Sequence, residues 1–311
     1  MRKGSEIGAN HVRPPRVNAE DFREGFATAD DGLRLYWHAV GSGPAIVCCN
    51  GVGVSTFFWK YVTEAFVGQH TIVTWDYRGH GKSDAIADAW GGDVTIPRHA
   101  ADLAVVMDAA GVDDALLVGH SMGCQVIFEL YRLHPERIRG LVTILGTAGR
   151  ALETFYDNPS SPRYFRLAER AIRRMGDNVH TLIRPVLLSP IAWTIAKAGR
   201  MVDPDYAEKT DMLPYMAHLA TLDFRMFIRT ILSMQDHDAW DVLPAITAPV
   251  LVVAAEKDAF TPMWLSRKMA ANIHDADFLV LADGSHAAII EQPDTINHRL
   301  KRFLRERKVF G

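Results

Sequence analysis

Six short apolar runs punctuate this 311-residue chain: Ala45 to Cys49, Thr71 to Trp75, Ala115 to Val118, Leu141 to Leu145, Val250 to Ala254 and Phe278 to Leu281. Most lack polar–apolar alternation, which is how a strand reads when both of its faces are buried. Amphipathic stretches of helical length separate several of them, including Ile96 to Ala110 and Cys124 to Leu133. Buried strands alternating with helices predict an α/β fold, a mostly parallel sheet with helices on both faces. Ahead of these runs, Gly25 to Ala29 and Leu33 to Val40 flank Asp30-Asp31-Gly32, a turn signal that predicts an antiparallel hairpin at one sheet edge. With that hairpin the sheet has eight strands.

From about Gly149 to Trp240 the strand pattern stops. Ser161 to Met175, Val179 to Ala198, Asp205 to His218 and Asp223 to Met234 read as helices, and in the last Phe224, Phe227, Ile228 and Ile231 recur at helical spacing. The expected organisation is therefore a core of residues 21–148 and 241–311 with a helical cap, 149–240, inserted after the sixth strand. Residues 1–20 carry Arg2, Lys3, Arg13 and Arg16 beside Pro14-Pro15 and lack the apolar stretch of a signal peptide, so they read as an N-terminal arm.

Charged residues make up 23% of the chain and apolar residues 48%, with a formal net charge of −3, a balance that argues against a nucleic-acid surface. No run reaches about 18 uninterrupted apolar residues, so no membrane span is expected. Cys48, Cys49 and Cys124 are an odd set with no Cys-x-x-Cys spacing. They read as buried small hydrophobes in a reducing, cytoplasmic setting, with no metal and no cofactor implied. His237 lies between Asp236 and Asp238, but that spacing matches no metal template.

The motif that carries chemistry is Gly119-His120-Ser121-Met122-Gly123, set between a predicted strand and a predicted helix. A serine hydroxyl is a poor nucleophile at neutral pH, so it must stand on a sharp strand-to-helix turn where a base can reach it, and small flanking residues permit that turn. Two more catalytic residue types follow in the strand-end loops where open parallel sheets gather their functional groups. Asp258 lies beyond the run Val250 to Ala254, and His286 lies in Asp283-Gly284-Ser285-His286 beyond Phe278 to Leu281. Ser121, Asp258 and His286 thus stand in the order nucleophile, acid, base, with His286 to take the hydroxyl proton and Asp258 to hold its tautomer. Glu256 and Asp283 are the competing acids, and His120 reads as a structural neighbour of the nucleophile. The backbone N–H of Met122, and that of Val52 in Asn50-Gly51-Val52-Gly53, are the expected oxyanion donors.

With these motifs the chain resembles the α/β-hydrolase superfamily, in its capped branch of serine esterases, lactonases, C–C bond hydrolases and cofactor-free haloperoxidases. The resemblance runs from about Phe22 to Phe303. It includes Asp76-Tyr77-Arg78-Gly79-His80-Gly81-Lys82-Ser83, similar to the family's turn after the fourth strand, together with His134-Pro135-Glu136-Arg137 and Pro249. Asp76 to Ser83 lacks the spacing of a phosphate-binding loop and reads as a tight structural turn. Many relatives have His-Gly where this chain has Asn50-Gly51, and a serine at 121 sets it apart from relatives with an aspartate nucleophile.

The resemblance implies hydrolysis of a small to medium apolar ester or lactone through an acyl-enzyme, with a small-molecule substrate as the partner. C–C bond hydrolysis, peracid formation and ligand sensing with slow turnover use the same parts and stay open. Expected substrate contacts are Trp193, Met212, Tyr215, Met216, Leu219 and Phe224 from the cap, with Phe57, Phe58 and Trp59 from the loop below it.

Overall fold

Strands β1, Phe22–Thr28, and β2, Arg34–Val40, form the antiparallel hairpin expected around Asp30-Asp31-Gly32. The computed structural model describes residues 21–203, 205 and 209–311, so the expected arm of residues 1–20 lies outside the described residues. Six further strands fall where the apolar runs lie: β3, Ala45–Cys49; β4, Thr71–Trp75; β5, Ala115–His120; β6, Ile138–Ile144; β7, Val250–Ala255; and β8, Asp277–Leu281. They make one eight-stranded sheet in the order β1-β2-β4-β3-β5-β6-β7-β8. Pairing is parallel from β4 through β8, while β2 is antiparallel to both of its neighbours.

The unbroken apolar runs resolve into two faces because successive strand side chains point to opposite sides. Val47 and Cys49 of β3, Leu117 of β5 and Val252 of β7 enter one core, and Ile46, Cys48, Val118 and Leu251 enter the other. The first core is closed by α2, Ile96–Ala109, and α3, Met122–Leu133, with Met269. The second is closed by α1, Lys60–Phe66, and by α11, Pro293–Glu306, through Phe66, Ile296, Leu300 and Phe303. Helix α9 spans Met263–Ala271, and the one-turn helix α10 spans Ala288–Glu291.

Between β6 and β7 the chain leaves the sheet. It forms a 3-10 segment, Ala151–Asp157, and then α4, Ser161–Met175; α5, Asn178–Leu187; α6, Pro190–Ala198; α7, Lys209–Leu219; and α8, Phe224–Asp236. The stretch Val179 to Ala198, expected as one helix, is two helices bent by 85°. Pro190 has no N–H to continue the first helix and disfavours helical backbone at Ser189. Ser189 instead caps α6, its hydroxyl accepting from the Ile191 N–H at 3.3 Å. Among the described residues no single helix is long and apolar enough to cross a membrane.

Parallel pairing gathers the carboxyl ends of the central strands at one edge. Cys49 of β3 faces Gly119 of β5, so the loop after β3 and the turn after β5 emerge side by side.

Candidate active site

Ser121 sits between β5 and α3 with φ 53° and ψ −116°. A side-chain-bearing residue adopts such a positive φ at a cost of about 1–3 kcal/mol, so the surrounding structure must enforce it. Enforcement comes from close backbone packing that only glycine allows. A Cβ on Gly119 would lie 2.6 Å from the Gly123 carbonyl, and one on Gly123 would lie 2.1 Å from the Cys49 carbonyl oxygen. The Ser121 N–H donates to Ile144 O at 3.0 Å, anchoring the turn on β6.

The loops beyond β7 and β8 bring the expected partners to Ser121. His286 Nε2 is 3.0 Å from Ser121 Oγ, and His286 Nδ1 is 3.1 and 3.0 Å from the two Asp258 carboxylate oxygens. With Nδ1–H donating to the carboxylate, Nε2 is left to accept the serine hydroxyl. Asp258 is oriented by Thr261, whose hydroxyl donates at 2.7 Å and whose N–H donates at 3.0 Å, and by the Phe260 N–H at 2.8 Å. Burial pushes the Asp258 carboxyl up, but the adjacent imidazole and these hydrogen bonds outweigh it and hold the carboxyl below its ordinary value. The competing acids point elsewhere: Glu256 accepts from the Asp283 N–H at 3.3 Å, and Asp283 pairs with Lys257 at 3.1 Å.

His120 has the structural place expected of it. Its Nε2 lies 3.1 Å from the backbone oxygen of His286, so the ring proton is on Nε2 and is donated to the loop that carries His286. Burial, followed by the nearby His286, lowers the His120 imidazole to about 3, so it stays neutral.

Asn50, the departure from His-Gly, is fully buried and holds the loop after β3 on three sides. Its amide donates to Trp75 O at 2.7 Å, its Oδ1 accepts the Trp59 indole N–H at 2.6 Å, and its backbone oxygen accepts the Tyr77 hydroxyl at 2.8 Å. Farther along, Asp76 accepts from the Ser55 hydroxyl and the Thr56 N–H, and His80 accepts the Gly53 N–H at 3.3 Å. The Asp76 to Ser83 turn thus buttresses the loop carrying Val52. A Cβ on Gly51 would approach Ser121 Cβ to 3.3 Å, which shows how closely this loop abuts Ser121. Met122 opens α3, so its N–H has no acceptor within the helix.

Ser121 and His286 open into a cavity of about 330 Å³ that Val52, Phe58, Met212, Tyr215 and Leu219 also line. Five expected contacts lie elsewhere. Trp59 is fully buried, its indole spent on Asn50. Trp193 and Met216 line a separate groove of about 310 Å³, and Phe224 packs with Ile172, Val179 and Ile228. Phe57 is likewise absent from the lining and lies edge-on to His218, ring centroids 6.0 Å apart.

In place of Phe224 the cavity receives Phe227, Ile231 and Met234 from α8. The apolar stripe of α8 is wide enough to serve two neighbours, and its 224–228 edge faces α4 and α5 while its 227–231–234 edge faces Ser121. Phe155, Tyr156 and Phe165 at the start of the insertion, and Phe260 beside Asp258, complete an aromatic wall. Phe260 was legible as an aromatic two residues beyond the acid, while nothing in the local pattern marked Phe155 or Tyr156.

Among the described residues no cluster of three or more His, Cys, Asp or Glu is arranged to hold a metal ion. His237 instead lies 3.1 Å from the Gln125 amide and 3.0 Å from Glu129. The cysteines are free and buried, and burial pushes the Cys49 thiol up to about 12, away from nucleophilic chemistry.

Comparison with known proteins agrees with this architecture. The family model for the α/β-hydrolase fold matches residues 44–293. Curated relatives named "Putative carbamate hydrolase RutD" include one from Azorhizobium caulinodans, 30% identical over 272 residues, covering 88% of this chain and 95% of the relative. Another, from Variovorax paradoxus, is 30% identical over 270 residues, covering 86% and 94%. Among solved structures, a thermophilic esterase from Thermogutta terrifontis superposes with a TM-score of 0.71 at 24% identity, covering 93% of this chain and 100% of that one. The enol-lactonase from Burkholderia xenovorans superposes with a TM-score of 0.74 at 22% identity, covering 90% and 100%. An eight-stranded sheet of this order and a family match over most of the chain make this protein a hydrolase of the α/β-hydrolase family.

Proposed function

We propose that this protein hydrolyses a small to medium apolar carboxylic ester or lactone through an acyl-enzyme. The observation that carries the proposal is the continuous hydrogen-bonded chain from Ser121 Oγ through His286 to Asp258 at the floor of the apolar cavity. His286 Nε2 takes the hydroxyl proton as Ser121 attacks the carbonyl carbon. The resulting oxyanion is met by the backbone N–H groups of Met122 and Val52. His286 then gives the proton to the leaving alkoxide, and water repeats the sequence to release the acid. Asp258 keeps Nδ1 protonated throughout and stabilises the imidazolium. We take residues 149–240 as a cap on the core of 21–148 and 241–311, because α7 and α8 supply the outer cavity wall.

The relatives named for carbamate hydrolysis suggest the same acyl chemistry on a nitrogen-bearing carbonyl. Among the described residues the cavity lining contains no Asp, Glu, Lys or Arg, and its His120 is held neutral, which favours an uncharged acyl group over a carbamate anion. Hydrolysis of p-nitrophenyl esters from acetate to laurate, beside a neutral and an anionic carbamate, tests this order of preference. Ester turnover that disappears in Ser121→Ala is the expected result. Preferred anionic carbamate turnover would overturn the substrate class, and activity unchanged in Ser121→Ala would overturn the mechanism.

A further inference from the structure

Helices α5 and α6 present an apolar surface that neither the core nor the active-site cavity uses. Leu182 and Val186 are one turn apart on α5, and Ile191 and Ile195 are one turn apart on α6, with Leu188 between the helices. Their exposures are 61, 40, 60, 51 and 66%, and Leu213 of α7 is 53% exposed beside them. Leu188 and Leu213 both line the groove of about 310 Å³ that also holds Trp193 and Met216. Large aliphatic side chains scattered singly are ordinary, but a grouped set on one bent helix pair marks a surface that something covers.

Between Asp177 and Asp203, the segment that carries α5 and α6 holds charge of one sign. From residue 178 to residue 202 there is no Asp or Glu, while Arg184, Lys197 and Arg200 are present in a chain of formal charge −3. The preceding α4 adds Arg163, Arg170 and Arg174 in the stripe 163–167–170–174 around Leu167, which is itself 55% exposed. None of these six basic side chains forms an ion pair among the described residues. Protruding aliphatics interleaved with long basic side chains are the pattern of a helix lying in a membrane interface, where the aliphatics enter the acyl boundary and the cations meet anionic headgroups. Both α5 and α6 are far too short to span a bilayer, and their 85° bend rules out one straight insertion.

We propose that the outer face of α5 and α6 docks the protein on an anionic lipid surface. Met212 lines both the groove beneath this face and the cavity holding Ser121, so the docking surface is the far side of the catalytic wall. An amphiphilic neutral ester partitioned in the same lipid layer would be concentrated beside that wall.

Flotation of the full chain with phosphatidylcholine vesicles, with and without 30 mol% phosphatidylglycerol, tests the proposal without reference to catalysis. Binding is expected on the phosphatidylglycerol vesicles and not on pure phosphatidylcholine. Leu188→Asp/Ile191→Asp is expected to abolish it, and Arg184→Glu/Lys197→Glu to weaken it by about tenfold or more. All of these side chains lie outside the active-site cavity, so circular dichroism and ester turnover in detergent-free buffer check that each variant is folded. Absence of binding to the anionic vesicles overturns the proposal, as does binding that survives Leu188→Asp/Ile191→Asp. Sedimentation equilibrium showing a stable dimer that this variant dissociates, with no vesicle binding by the parent, would assign the face to a second copy of the chain instead.

Discussion

At the scale of single residues, the decisive feature is that three side chains from three loops meet with hydrogen-bond geometry. Asp258→Asn would present an amide to His286 Nδ1 and favour the wrong tautomer, so kcat is expected to fall by about 10⁴ with KM little changed. Steady-state kinetics on p-nitrophenyl butyrate checks this. Asn50 makes a different kind of contribution. Asn50→Ala would strand the buried Trp59 indole N–H and the Trp75 carbonyl, at about 1–3 kcal/mol for each orphaned group. Urea unfolding should show the loss, and loosening of the Val52 loop should lower kcat in the same variant. Ser121, Asp258 and His286 could be singled out in the sequence because each is tied to a strand end and to a chain order that the proposed chemistry restricts. Trp59 was misassigned for an equally physical reason: a large aromatic beside an active-site loop reads as lining unless its N–H is known to have a buried acceptor.

At the scale of elements, helix faces and element junctions decide what the loops hold. Phe227 projects from α8 into the cavity and meets the loop carrying Val52, since a Cβ on Gly53 would lie 2.9 Å from Phe227 Cε2. Phe227→Ala is expected to enlarge the acyl site and raise the ratio of octanoate to butyrate hydrolysis by about tenfold, measured as relative kcat/KM. The turn after β4 is fastened to α2 by Arg78, which donates at 2.7 Å to each carboxylate oxygen of Asp102, both side chains at most 2% exposed. Arg78→Ala would remove both of these hydrogen bonds and leave the buried carboxylate only the longer Arg98 contact at 3.4 Å, so it is expected to cost about 3 kcal/mol, read from the urea midpoint. The α8 periodicity was visible in the sequence, but a stripe about 100° wide or more can face two neighbours at once, and periodicity does not say which edge meets which. The break between α5 and α6 was signalled by Pro190 and Ser189, and a continuous apolar composition on either side obscured it.

At the scale of the whole molecule, three buried histidines and the half-buried His218 of α7 couple the fold to pH. Burial is the leading cause that lowers His80 to about 4, His218 to about 4 and His120 to about 3, and it also depresses His99. The unfolded chain binds these protons near pH 6.5, while the folded chain binds them only below the lowered values. Stability is therefore full above about pH 6.5 and falls as pH drops through the window between the two. At pH 5 His80, His218 and His120 each remove about 2 kcal/mol, so urea midpoints at pH 7 and pH 5 should differ by several kcal/mol in unfolding free energy. His120→Gln is expected to reduce that difference. Strand positions, the edge hairpin, the helical insertion and the Ser121–Asp258–His286 order are local or ordered properties, carried by apolar runs, turn residues and strand-end loops, and the sequence alone determined them. Whether Trp193, Met216 and Phe224 or Phe155, Tyr156 and Phe227 line the cavity depends on how far each insertion helix rotates about its axis when it packs. That rotation is set by contacts between residues distant in the chain, so only the tertiary structure decided it.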